Sequence, residues 1–195
     1  MRRALIGLSV FLAVMSGCTR NEELLKRSSI TTSSDVFREV PLEEKVSSGY
    51  SKLTIYSSVK TPRPGDRLFG NSKLGTSVYV LLINIDGQTE RINGIVTEDR
   101  SSKFNDPEAG VGIRYIFEKK VLIRSGRHNV IIAGPEDGIA VEKVINLVDG
   151  TDNFFLLKPK YGGVAIRKKP SVYGSGPRFT NGIRGFDTFF NGRYM

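Results

Sequence analysis

The sequence predicts an all-β fold, a single antiparallel β-sandwich. Two observations carry this. Seven or eight short apolar runs follow one another at close spacing, each bounded by turn residues, and no convincing amphipathic helix interrupts them. The composition agrees: Val, Ile, Tyr and Phe dominate the apolar residues, with 21 glycines and no tryptophan, a balance that favours sheet and turns.

The elements follow in order. Lys52-Leu53-Thr54-Ile55-Tyr56 alternates apolar and polar and predicts a first strand. Two prolines in Thr61–Asp66 forbid ladder pairing and mark a loop. Val78–Ile85 is continuously apolar and predicts a central buried strand, ended by the hairpin signal Asp86-Gly87 and returned by Arg91–Val96. Thr97–Val111 is polar with an Asp-Pro step, and is expected to be a long loop. Gly112–Ile123 predicts a strand or a broken pair. Ser125-Gly126-Arg127 turns the chain into a strand over His128–Ala133, and Gly134–Gly138 turns it again. Ile139–Val148 and Asn153–Leu157, joined by Asp149-Gly150, complete the sandwich, so the domain is expected to span residues 51–160.

The segments outside those bounds read differently. Arg2 and Arg3 precede an apolar run, Ala4–Met15, which is short of the ~20 residues that cross a bilayer. Ser16 and Gly17 then precede Cys18, the chain's single cysteine. This pattern resembles a bacterial lipoprotein signal peptide. The resemblance implies a signal peptide over residues 1–17, cleavage before Cys18, lipid on the Cys18 thiol and acylation of its freed amine. Three acyl chains at ~0.8 kcal/mol per buried CH₂ attach a protein effectively permanently. Thr19 stands where, by the same resemblance, an Asp would retain the protein in the inner membrane, so outer-membrane sorting is implied for a Gram-negative cell. With Cys18 lipidated no disulfide is possible, and the apolar core must hold the domain. Residues 18–50 are Ser/Thr-rich with few large apolar groups, and are expected to be a lipidated tether in which Asn21–Arg27 forms at most a turn or two of helix.

Charge is segregated. From Cys18 to Leu157 cations and anions balance, whereas Lys158–Met195 holds eight cations against Asp187 alone. Such asymmetry marks a segment that meets acidic groups. Residues 161–195, with the preceding Lys160, interleave cations, aromatics and glycines, and the candidate partner-binding residues are Lys160, Tyr161, Arg167, Lys168, Lys169, Tyr173, Arg178, Phe179, Arg184 and Arg193. Rings stack on sugars or peptides and cations pair with carboxylates or phosphates. The alternative is that Tyr173, Phe179, Phe186, Phe189 and Phe190 pack on the sandwich, since so many free phenylalanines would be an exposed apolar liability. For an exported lipoprotein the expected acidic partners are envelope proteins, cell wall or lipopolysaccharide rather than nucleic acid.

Within residues 121–160, VLIRSGRHNVIIAG, a polar turn and VINLVDGTDNFFLLKPKY place Gly126, His128, Val130, Gly150, Leu157 and Pro159 in a recurring order. That order resembles PEGA-type and related immunoglobulin-like or prealbumin-like envelope domains, although Pro135–Gly138 replaces the Gly-Tyr often found between their middle strands. The resemblance implies a noncatalytic surface or periplasmic module.

No catalytic motif emerges. His128 is the single histidine and lies in strand-like alternation, so it is expected to be structural rather than catalytic or metal-binding. The acidic groups Glu98-Asp99, Asp106 with Glu108, and Glu136-Asp137 carry calcium-type oxygen ligands, but without EF-hand spacing and beside turn residues. Gly174-Ser175-Gly176 lacks the Lys-Ser/Thr of a phosphate loop. The expectation is a noncatalytic envelope lipoprotein that scaffolds or docks within an assembly, without cofactor or metal, and alternatively a module binding peptidoglycan or lipopolysaccharide through its C-terminal segment.

Overall fold

A computed structural model describes residues 20–40, 46–65, 74–101, 106–162 and 178–195. Among them are a helix, α1 (20–29), and the strands β1 (Phe37–Glu39), β2 (Tyr50–Thr61), β3 (Val80–Ile85), β4 (Gln88–Asn93), β5 (Ile95–Ser101), β6 (Gly110–Arg124), β7 (Gly126–Gly134), β8 (Ile139–Leu147), β9 (Asp152–Tyr161), β10 (Ile183–Phe190) and β11 (Arg193–Tyr194). The protein is all-β apart from α1 and two short 3₁₀ turns.

Two sheets face one another. The larger runs β1-β6-β2-β9-β10-β11, and the smaller β4-β3-β7-β8. β5 pairs with residues 110–116 of β6 and β1 with residues 121–123, so the two share one edge of that long strand in tandem. The other edge of β6 pairs with β2 over Thr61↔Ile113 to Tyr50↔Arg124. Alternation then decides what is buried. Leu53, Ile55, Val59, Tyr115, Phe117, Phe155 and Leu157 of the larger sheet meet Leu81, Ile83, Ile85, Val130, Ile132 and Ile145 of the smaller one in a common core. Tyr79, Tyr115 and Phe117 form its aromatic centre, with ring centroids 4.8 to 6.0 Å apart.

The predicted turn at Asp86-Gly87 is present, with φ of 47° and 94°. Both angles are positive, as a two-residue hairpin of right-handed twist requires. The chain changes sheet at Gly94, between β4 and β5, where a Cβ would lie 3.0 Å from the Phe117 ring and 3.1 Å from Tyr115 Cβ. It changes again at Ser125, between β6 and β7.

Three expectations are corrected. The sandwich is not wholly antiparallel, because β2 and β9 pair in parallel over Lys52↔Asp152 to Ser57↔Leu157. Both strands enter from the same end, where Lys52 N–H donates to Thr151 O at 3.0 Å and Gly150 N–H to Tyr50 O at 2.9 Å. Thr97–Val111 is not one long loop: β5 continues through Ser101 and β6 begins at Gly110, and the two pair from Ser101↔Gly110 onward.

The tether expected over residues 18–50 is largely folded structure. α1 lies on the outer side of the smaller sheet, with Asn21, Leu24 and Ser28 on one helical face. Leu24 and Ser28 are buried, as are Ile131 and Ala133 on the side of β7 turned away from the core. Asn21 Oδ1 accepts the Ala140 N–H at 3.0 Å, and its Nδ2 donates to Gly138 O. At the other end of α1, Asn84 Nδ2 donates to the Arg27 carbonyl at 2.9 Å. After it, Thr32 N–H reaches Gly87 O at 2.8 Å and β1 joins β6. The sequence hides this because the docking stripe contains a single leucine, its other members being the Asn21 amide, which bonds to strand and turn, and the Ser28 hydroxyl, which donates to the Leu25 carbonyl within the helix.

The described part of the C-terminal segment, residues 178–195, packs on the sandwich, the alternative weighed above, with Phe179 and Phe186 buried. β10 pairs with β9 from Ile183↔Tyr161 to Phe190↔Phe155. β11 follows across Asn191-Gly192, whose φ angles of 48° and 79° make a second such hairpin turn. That Asn-Gly pair is a strong hairpin signal, legible in the sequence.

Replacing Leu24 by Ala is expected to lower unfolding free energy by about 2 to 3 kcal/mol, the usual cost of truncating a buried leucine. Urea denaturation measures the loss, and hydrogen exchange should become faster first at the α1 amides and at Ala140. A segment acting as a free tether would show neither change.

Candidate binding face

At the end of the sandwich where β2 and β9 finish and β6 and β10 begin, charged side chains are folded inward. Lys60 lies on the outer side of β2 yet is fully buried. Its ammonium donates to Glu108 O at 2.8 Å and Gly110 O at 2.6 Å, stands 3.6 Å from Asp99 Oδ2, and sits 5.0 Å from the centre of the Phe179 ring. Cross-strand from it, Arg114 donates through Nε to Asp99 at 2.6 Å, through Nη1 to Ser58 Oγ at 2.9 Å and through Nη2 to Glu108 at 2.7 Å. Burial disfavours the guanidinium charge, but the bonds to Glu108 and Asp99 outweigh it and hold Arg114 above its ordinary value.

Tyr161 completes the cluster. β2 and β9 stop pairing after Ser57, so the Lys60 N–H is left without a ladder partner, and the Tyr161 hydroxyl accepts it at 2.9 Å. The same hydroxyl donates to Glu108 Oε1 at 2.7 Å. Burial foremost, and then that carboxylate, push the phenol far above its usual range. Tyr161, Ser58, Arg114 and Glu108 line one end of an open groove of about 410 Å³, with Tyr56, Leu156 and Pro159 along its apolar wall.

The groove opens onto the outer face of the larger sheet. Tyr56 and Phe154 stack there with centroids 6.0 Å apart. Lys158 Nζ lies 4.8 Å above the Phe189 ring, and Tyr194 meets that ring edge-on at 5.5 Å. Phe154 is 42% and Tyr194 65% exposed. Lys160 pairs with Asp187 at 2.7 Å, which also accepts the Tyr194 hydroxyl at 3.1 Å. Arg193 at the sheet edge is exposed. The face therefore sets aromatic rings and cations side by side, with Lys158 and Lys160 on the interior strand β9.

The predicted site residues that the structure describes divide into three groups. Lys160 and Arg193 belong to this face or its edge. Tyr161 and Phe179 are buried in the end cluster, Phe179 N–H donating to Pro107 O at 3.0 Å, so neither presents a free ring to a partner. Arg178 and Arg184 flank the turn before β10, where a Cβ on Gly162 would lie 2.9 Å from Arg184 Nε. Cys18, Arg167, Lys168, Lys169 and Tyr173 lie outside the described residues. Sequence reasoning passed over Tyr56, Phe154, Leu156 and Lys158, although alternation along β2 and β9 places all four on the side opposite the core.

Comparison with protein-family models, curated proteins and solved structures finds no match. The chemistry of the remaining candidates must therefore be read from their own surroundings. His128 is buried between two acceptors, with Nδ1 2.6 Å from Asp86 Oδ2 and Nε2 2.7 Å from the Arg124 carbonyl. It ties the β3–β4 turn to the β6–β7 corner. The acidic groups also serve internal partners: Asp99 and Glu108 hold Arg114, and Asp137 accepts the Tyr79 hydroxyl at 2.7 Å. Among the described residues no three His, Cys, Asp or Glu side chains are grouped to hold a metal ion, and no helix is long and apolar enough to cross a membrane.

Among the described residues, Tyr79, Tyr115 and Tyr161 are shifted upward by burial. A group whose folded pKa is raised stabilises the fold fully below its unfolded pKa and loses that contribution as pH climbs toward the folded value. Stability is thus expected to fall above about pH 10, where tyrosines of the unfolded chain ionise. Ultraviolet difference titration should show a smaller phenolate step in folded than in denatured protein, and Tyr161→Phe should shrink the alkaline loss of stability.

Proposed function

We propose that this protein is a noncatalytic lipoprotein of the bacterial envelope, held in the outer membrane by lipid on Cys18, that docks an anionic partner on the outer face of its larger sheet. The carrying observation is that face: Tyr56, Phe154, Leu156, Phe189 and Tyr194 outward, with Lys158 and Lys160 among them and Arg193 at the edge. Aromatic rings concentrate contact energy in few side chains, and the cations beside them steer and select acidic partners. The two-sheet core is compatible with an immunoglobulin-like or prealbumin-like module of the PEGA type, which is the finer fold reading put forward here. The buried cluster around Lys60 serves this role by fixing the groove wall.

The preferred partner is a protein of an envelope assembly. A second reading, in which the same face holds peptidoglycan or lipopolysaccharide, is favoured by the groove, whose aromatic wall and hydrogen-bonding end suit a sugar with charged substituents.

Ending the chain at Lys160 would remove β10 and β11, so point substitutions make the sound test. In intact cells, crosslinking and mass spectrometry of Lys158→Glu with Arg193→Glu should show at least a tenfold loss of one specific protein partner against wild type. Loss of salt-sensitive cosedimentation with cell wall instead would select the second reading, because exposed charge contacts weaken with ionic strength. No change in either would reject the face as the docking surface. Cys18→Ser should move the protein out of the membrane fraction.

A further inference from the structure

The docking of α1 determines how such a lipoprotein would stand on its membrane. α1 begins at Arg20, two residues after Cys18. Two residues span at most about 7 Å even when fully extended. The first turn of α1 is bonded to the sandwich through Asn21, which holds the Ala140 N–H and the Gly138 carbonyl at the β7–β8 turn. Leu24 is buried one turn later. The same end of the sandwich carries the finish of β2 and β9 and the start of β10. Asp137 draws this end together, accepting the Tyr79 hydroxyl at 2.7 Å and the Ile183 N–H at 3.4 Å.

We infer that the lipid on Cys18 holds the folded domain directly against the bilayer, with the β7–β8 end of the sandwich toward the lipid headgroups and the opposite end, at Ser125 and Asp149-Gly150, pointing away. This rests on the lipidation of Cys18 proposed above. A tether of some thirty residues would leave the domain free to tumble, because a flexible chain of that length spans roughly 30 Å. The folded course of residues 20–40 removes that freedom. The strands of both sheets then run away from the membrane, and the aromatic face of the larger sheet stands upright, open to a partner approaching alongside the membrane rather than onto it.

The test uses the full lipidated chain, purified from bacterial membranes and reconstituted in vesicles of phosphatidylethanolamine and phosphatidylglycerol. The Cys18 thiol is consumed by lipid, so a single added cysteine is the sole labelling site. Glu22→Cys, exposed in the first turn of α1, reports the near end, and Val148→Cys, 60% exposed beside the β8–β9 turn, reports the far end. Fluorescent labels at the two sites are compared for quenching by nitroxide on the lipid headgroups. The expected result is at least threefold stronger quenching at position 22, and near-equality after a flexible thirty-residue linker is inserted between Thr19 and Arg20. Equal quenching without the linker would overturn the orientation while leaving the anchor intact. A mature protein whose mass shows no lipid on Cys18 would instead overturn the lipoprotein reading, and the orientation with it.

Discussion

The long antiparallel ladder between β2 and β6 is the constraint on which the rest of this structure depends. It runs from Tyr50↔Arg124 to Thr61↔Ile113 and sets Leu53, Ile55, Val59, Tyr115, Phe117 and Val121 on one side. A one-residue slip would turn all of them outward. β6 outlasts any single neighbour, so β5 and β1 divide its free edge, and its continuation past Ser125 supplies the middle of the opposing sheet. β9 takes the free edge of β2 and brings β10 and β11 with it.

Polar groups hold the margins that apolar packing leaves open. Lys119 of β6 reaches Glu39 of β1 and Glu90 of β4, bridging the two sheets on one side. Gln88 does similar work through its side chain, which accepts the N–H groups of Val36 and Phe37 and donates to Phe37 O. At the open end, Lys60, Arg114, Asp99 and Glu108 are charges with nearly every donor satisfied. Such a cluster adds little net stability against an apolar alternative, but losing one member costs about 3 kcal/mol or more because the others are left unmatched. Its evident effect is positional: it fixes the chain at Glu108–Gly110 and the Tyr161 hydroxyl, and so shapes the groove.

The outer face of the larger sheet, the docking surface proposed above, is separated from this scaffold by the pleat itself. Residues facing the core are fixed by packing, whereas Tyr56, Phe154, Leu156, Lys158 and Phe189 touch chiefly one another. The positive excess of the C-terminal segment thereby gains a rigid platform. Lys158 and Lys160 belong to a strand with partners on both sides, and they can meet an acidic surface without first being ordered.

By itself the sequence determined the all-β class and most of the central strands, because period-two alternation and Gly, Pro and Asp-Gly breaks are local signals. β3, its Asp86-Gly87 turn, β7 and β8 were all legible in this way, and the segregation of positive charge into the last segment was a matter of counting. Tertiary structure decided what those signals do not encode. The docking of α1 depends on the Asn21 amide, whose partners Gly138 and Ala140 lie 117 and 119 residues away. β5 read as loop because its Glu98 and Asp99 are polar, and only pairing with β6 shows that Asp99 is matched by Arg114. The parallel pairing of β2 with β9 follows from both strands entering at one end, a fact of chain path and not of either segment. Phe186 is buried and Phe189 half exposed because alternation along β10 turns them to opposite sides of the sheet, whereas Phe179 is buried in the 3₁₀ turn before that strand. Local pattern selects strand and turn; the assignment of partners, and of the face left open to the outside, arises only when the two sheets close on each other.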